Sequence, residues 1–146
     1  MRKAQMGSQL PAGTTTTPQD LDIGSMLVGI DHIGVNVRNG AESADWYKNI
    51  LGFSLLHKFT TTWLVGRGNI KLGLFERPYG ATIADTDNTL MMQHIAFTID
   101  QSWYFLARQR LLDRGIAPEE EDNGIANCLF FKDPNSHQLE IISYHP

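Results

Sequence analysis

The chain has 146 residues, 42% of them apolar and 19% charged, which is the composition of one folded domain. Twelve basic residues against sixteen acidic give a formal charge of −4, so the overall balance offers nothing to attract nucleic acid. The single cysteine, Cys128, excludes an intrachain disulfide framework, and no apolar run reaches the ~18 residues of a membrane helix.

Residues 1–26 are expected to form a flexible N-terminal tail. Thr14 to Thr17 stand in a row among scattered Gly, Ser and Pro, with no hydrophobic period. Two early charges have no apolar run behind them, so the start does not read as a secretory signal, and a cytoplasmic location is expected.

One domain is expected over residues 27–146. Residues 30–37, IDHIGVNV, alternate as a strand, with Ile33, Val35 and Val37 on one face. Asn39 and Glu42 have capping-box spacing ahead of a helix over about 41–51, closed by Gly52. Strand-like runs follow at 53–59, 62–66 and 70–75, then an aperiodic polar connection at 77–91. The pattern then restarts. A strand at 94–99, HIAFTI, precedes a helix over about 102–114 ended by Gly115. Three further strands are expected near 117–120, 126–132 and 137–143, with Asp133-Pro134-Asn135-Ser136 as a tight turn.

This is an internal repeat of strand, helix and three strands, with modules at about 28–76 and 92–145. Both modules open on His-Ile followed by a small residue, His32-Ile33-Gly34 and His94-Ile95-Ala96. The repeat predicts a pseudo-symmetric α+β domain.

Strand alternation sorts the side chains into two faces. One face carries the aliphatic and aromatic residues. The other carries His32, Gly34 and Asn36 in the first strand, His94, Ala96 and Thr98 in its counterpart, and Gln138, Glu140 and Ile142 in the last strand. A ligand-type residue recurs at the equivalent place of both modules, a carboxylate joins it, and small neighbours leave room beside them. Two imidazoles and one carboxylate hold a divalent ion with a net charge of +1 and leave positions open for water or substrate. The candidate metal ligands are therefore His32, His94 and Glu140. The first-module counterpart of Glu140 is Gly73, so a fourth protein ligand is missing there.

The motifs HIGVNV (32–37), DWYKNILGF (45–53), HIAFTI (94–99), LLDRGI (111–116) and FFKDPNSHQLEII (130–142) together resemble the vicinal oxygen chelate superfamily. That superfamily includes glyoxalase I, extradiol dioxygenases, fosfomycin-modifying thiol transferases and bleomycin-resistance proteins. The resemblance implies two βαβββ modules whose curled mixed sheets enclose a metal cavity, with the ligand positions falling on His32, His94 and Glu140. It implies one divalent metal ion, a small-molecule substrate that chelates it through neighbouring oxygens, and a homodimer. A thiol transferase of the fosfomycin-modifying type is an alternative within the enzymes, although those members usually carry a basic extension for the phosphonate. A non-catalytic protein that sequesters a small drug-like molecule in the same cavity is the alternative from another class. Candidate catalytic groups are Tyr144 and His137. Candidate substrate-binding groups are Lys71, Arg77, Tyr79 and Trp63. Cys128 is assigned to the core.

Overall fold

The computed structural model describes residues 22–146. These divide into two compact units at Ile30/Asp31. The Thr14–Thr17 run lies outside the described residues. In the first unit, the Asp22 carboxylate accepts from the Ser25 backbone N–H at 2.7 Å and caps a single 3-10 turn, Ile23–Met26. The second unit, Asp31–Pro146, contains every strand and α-helix described below.

Its elements are β1 (Ile33–Val37), α1 (Gly40–Leu51), β2 (Ser54–Lys58), β3 (Thr62–Arg67), β4 (Ile70–Glu76), β5 (Ile95–Thr98), α2 (Tyr104–Asp113), β6 (Glu119–Asp122), β7 (Ala126–Lys132) and β8 (Gln138–Tyr144). They form two four-stranded sheets with the same topology, β1-β4-β3-β2 and β5-β8-β7-β6. In each sheet the first and last strands pair in parallel and the others antiparallel, so the fold is α+β with mixed sheets. The internal repeat is therefore a repeat of topology. Among the described residues no helix is long and apolar enough to cross a membrane.

Local chemistry explains the helix ends. The Asn39 side chain accepts from the Glu42 N–H at 3.0 Å and caps α1. Gly52 takes φ 69°, and its N–H returns to the Lys48 and Tyr47 carbonyls. Gly40 is required for a different reason. An added Cβ would lie 2.0 Å from the Trp63 ring, so only glycine lets the helix start against that indole. Of the boundaries that differ from the sequence expectation, two have a clear local cause. The second helix begins as a 3-10 turn at Gln101–Trp103, capped by Asp100, before α2 proper. β6 begins two residues later than the expected 117, because its hairpin to β7 fixes the pairing. Asn123 Oδ1 accepts from the Ile125 and Ala126 N–H groups, Gly124 adopts φ 88°, and Asp122 is set opposite Asn127.

The core comes from one strand parity. Val35, Val65, Leu72 and Leu74 from the first sheet and Leu129, Phe131, Leu139 and Ile141 from the second join Tyr47 in one buried cluster. Two aromatic contacts cross between modules, Phe53 on Phe97 at 5.9 Å and Trp46 on Phe131 at 6.4 Å. A polar latch accompanies them. The Tyr47 hydroxyl donates to Asp133 Oδ2 at 2.8 Å, Asn135 Nδ2 donates to Ser43 Oγ at 2.9 Å, and His137 Nε2 donates to the Asn36 carbonyl at 2.7 Å. The other oxygen of Asp133 accepts from the Asn135 and His137 N–H groups. The Asp-Pro-Asn turn thus orders itself and fastens the second module to α1 and β1.

Candidate metal centre

His94 immediately precedes β5, and Glu140 lies on β8, its parallel neighbour. Their side chains meet on the face opposite the apolar core, with His94 Nε2 3.0 Å from Glu140 Oε2. The Glu140 side chain is only 7% exposed and the His94 side chain 31%. Burying a carboxylate is costly unless a cation or hydrogen-bond donors meet it. A nitrogen and an oxygen donor converging in this way suit a borderline divalent ion. Phe130, directly opposite Glu140 on β7, lies edge-on to the His94 ring at 6.0 Å.

His32 stands just before β1, on the face shared by Gly34 and Gly73. Its Nδ1 donates to Asp31 Oδ2 at 2.7 Å. A carboxylate only accepts, so the hydrogen is on Nδ1, and the neutral form of the ring then presents its Nε2 lone pair to a metal. Lys71 also donates to Asp31, at 2.9 Å. The Lys71 hydrogen bond, and after it the His32 one, holds the Asp31 carboxyl below its ordinary pKa. Gly73 stands where the repeat would place a counterpart of Glu140. A Cβ there would lie 3.1 Å from the Phe75 ring and 3.4 Å from His32 Cδ2, so the Phe75 ring packs against the bare glycine beside His32.

Among the described residues no three His, Cys, Asp or Glu side chains converge on one point. One of the contacts between the first and second modules lies at the far end of β1, where Asn36 meets His137. His32 is four residues earlier in the chain, about 13 Å back along an extended strand. Within one chain, then, the structure brings His94 and Glu140 together and holds His32 apart.

The other candidates fall in several places. His137 spends its imidazole on the Asn36 carbonyl. Tyr144 shares the face of Glu140, but at the other end of β8, half exposed and about 13 Å along the strand. Lys71 is bound to Asp31. Arg77 donates to its own neighbour, the Glu76 carbonyl, and lines a cleft with Arg38 and His137. Tyr79 is fully exposed. Trp63 pairs with Leu74 and packs under Gly40, so it faces α1 and not the His32 side. Cys128 is buried, but it pairs with Ile142 and so shares the Glu140 face. Burial, and then the neighbouring Glu140 carboxylate, pushes its thiol up to about 12.

Residues 29–141 match the family model described as Glyoxalase/Bleomycin resistance protein/Dioxygenase superfamily. The chain belongs to that superfamily. Among curated relatives, it is 29% identical over 120 residues to the metallothiol transferase FosB of Staphylococcus epidermidis, covering 80% of this chain and 84% of that one. It is 26% identical over 120 residues to a catechol-2,3-dioxygenase of Bacillus subtilis, covering 79% of this chain but 42% of the longer relative. Solved structures share the fold. A glyoxalase/bleomycin resistance/dioxygenase domain from Frankia sp. aligns with TM-score 0.68 at 23% identity over 82% of this chain and 93% of that one. The fosfomycin resistance protein FosX of Listeria monocytogenes aligns with TM-score 0.64 at 18% identity over 82% of this chain and 94% of that one.

Sequence reasoning missed several residues of this superfamily member's candidate site. Asp31 orients His32, and Phe130 is set against His94. Glu119 and Glu121 line the cavity beside His94. The acidic run at 119–122 was the available signal, but its strand register was needed to show which two carboxylates face that cavity.

Proposed function

We propose that this protein is a divalent-metal-dependent enzyme of the cytoplasm. It acts on a small molecule that chelates the ion through two neighbouring oxygens. The ion is held by His32, His94 and Glu140. The single observation that carries the reading is the nearly buried Glu140 carboxylate facing His94 Nε2 at 3.0 Å. When bound, the ion supplies Lewis-acid stabilisation of negative charge on the substrate oxygens. The protein's own part is to orient the donors. Asp31 fixes the His32 tautomer, and the β5–β8 pairing aligns His94 with Glu140.

We further propose that the three ligands come from two chains of a homodimer. His32 of one copy faces the His94–Glu140 pair of a second. Two features support this. The ligand face of each sheet is opposite the face that builds the core, and among the described residues no third ligand-type side chain joins His94 and Glu140 within one chain. A symmetric dimer then has two identical sites.

Elemental analysis of untagged protein purified without chelators tests the first part. About one transition-metal ion per chain is expected. Glu140→Gln and His94→Ala should each lose it while circular dichroism stays unchanged. Full metal content in His94→Ala refutes the site, and a metal-free protein that takes up no metal on dialysis turns the reading to sequestration without catalysis. Subunit mixing tests the second part. His32→Ala and Glu140→Gln each lack metal, but a mixed dimer carries one intact site, so random exchange restores about a quarter of the metal. No restoration after verified exchange places all three ligands in one chain.

A further inference from the structure

The cavity beside His94 has a charged wall that the proposed metal chemistry does not use. It measures about 640 Å³ and lies between the connection at 86–91 and the β6–β7 hairpin. The acidic run Glu119-Glu120-Glu121-Asp122 forms β6, and strand alternation divides it. Glu120 points away and pairs with Arg108 of α2, and Asp122 pairs with His145 at 3.0 Å. Glu119 and Glu121, set opposite Phe130 and Cys128, both face the cavity. Among the described residues neither is within ion-pair distance of a cation. Asp87 adds a third carboxylate to the lining, against the single cation Lys132.

We infer that Glu119 and Glu121 make this site selective for a substrate that carries a positive charge beyond its chelating oxygens. The inference rests on the proposed metal site and names the substrate class it takes. The net +1 of the ion and its three protein ligands is met by the chelating oxygens themselves. Past that point, a substrate tail along β6 meets two unpaired carboxylates. In the proposed dimer the facing module brings Lys71, but that ammonium is already bound to Asp31 at 2.9 Å, so the pair adds no free positive charge. A cationic tail gains at each glutamate, and an anionic tail is repelled by both. A phosphonate is thus a poor match for this wall, although fosfomycin-modifying proteins share the fold.

Three catechols that present the same vicinal oxygens on short tails of different charge make the test. These are 4-(2-aminoethyl)catechol, 4-methylcatechol and 3,4-dihydroxyphenylacetate. Their affinities are measured calorimetrically, anaerobically and at low salt, on the full chain loaded with Zn2+, with metal-free protein as control. The amine is expected to bind about tenfold more tightly than the carboxylate, with the neutral catechol between them. In Glu119→Gln/Glu121→Gln the ratio should collapse towards one while 4-methylcatechol is unchanged. Glu120→Gln, which removes a charge from the same strand but away from the cavity, should keep the preference. Equal affinities in the wild type, a preference for the carboxylate, or a preference that survives the double substitution overturns the inference alone. Absence of metal-dependent binding by all three catechols on Zn2+-loaded protein overturns the inference, whereas a chain that takes up no Zn2+ overturns the metal reading and the inference with it.

Discussion

Removing the Tyr47 hydroxyl should loosen the second module from the first without disturbing the apolar core. The ring is fully buried, stacked on Phe53 at 6.0 Å and edge-on to Trp46 at 5.0 Å, and Tyr47→Phe keeps both contacts. What is lost is one hydrogen bond of 2.8 Å to Asp133, whose side chain is also buried. A hydrogen bond to a charged group is worth about 1.5–3 kcal/mol, and here the acceptor is left facing a dry phenyl edge. For a domain of this size that corresponds to a fall in Tm of roughly 5–10 °C. Asp133 keeps its two backbone donors, so the turn itself should survive. Burial, and after it the Asp133 charge, raises the Tyr47 hydroxyl above its ordinary pKa. A raised pKa means the wild-type advantage is fully present below the ordinary tyrosine value of about 10 and is lost only as pH climbs beyond it. Urea titrations of the wild type, Tyr47→Phe, Asp133→Asn and the double variant give the coupling energy at pH 7. A loss below about 0.5 kcal/mol, or full additivity of the two substitutions, would refute the latch.

Gly40→Ala should destabilise the protein by about 3 kcal/mol, although alanine is ordinarily the better helix residue by up to about 1 kcal/mol. The new methyl would lie 2.0 Å from the Trp63 ring, which is held by burial and by Lys58 over its face at 4.7 Å. Thermal melts decide it, and an unchanged or higher Tm would show that the indole moves freely. The Cys128 thiol, buried and pushed up to about 12, should not react with an aromatic disulfide reagent at pH 8 until the chain is unfolded, when one thiol per chain appears. Because that pKa is raised, its contribution to stability is complete below the ordinary thiol value of about 8.5 and declines between there and about pH 12. Rapid labelling of the native protein would contradict this burial.

Local rules in the sequence determined the repeat, the helix caps and the division of each strand into two faces. Asn39 before Glu42, Gly52 after Leu51 and alternation through 32–37 and 94–99 each act over a few residues, within reach of backbone geometry alone. His32 and His94 are equivalent positions of the repeat, and strand alternation places Glu140 on the same face as His94. Only the tertiary structure decided which of them meet. His94 and Glu140 are brought together by the parallel β5–β8 pairing, a contact across 46 residues that periodicity does not encode. It also decided that His137, next to the Asp-Pro-Asn turn, fastens the modules together, and that Trp63 faces a helix. The acidic run of β6 shows the division most plainly. The sequence supplies four like charges in a row, and only pairing with α2, with His145 and across to β7 separates the neutralised pair from the two that line a cavity. Charge is a property of the residue, whereas the partner that cancels it is set by the packing of distant segments.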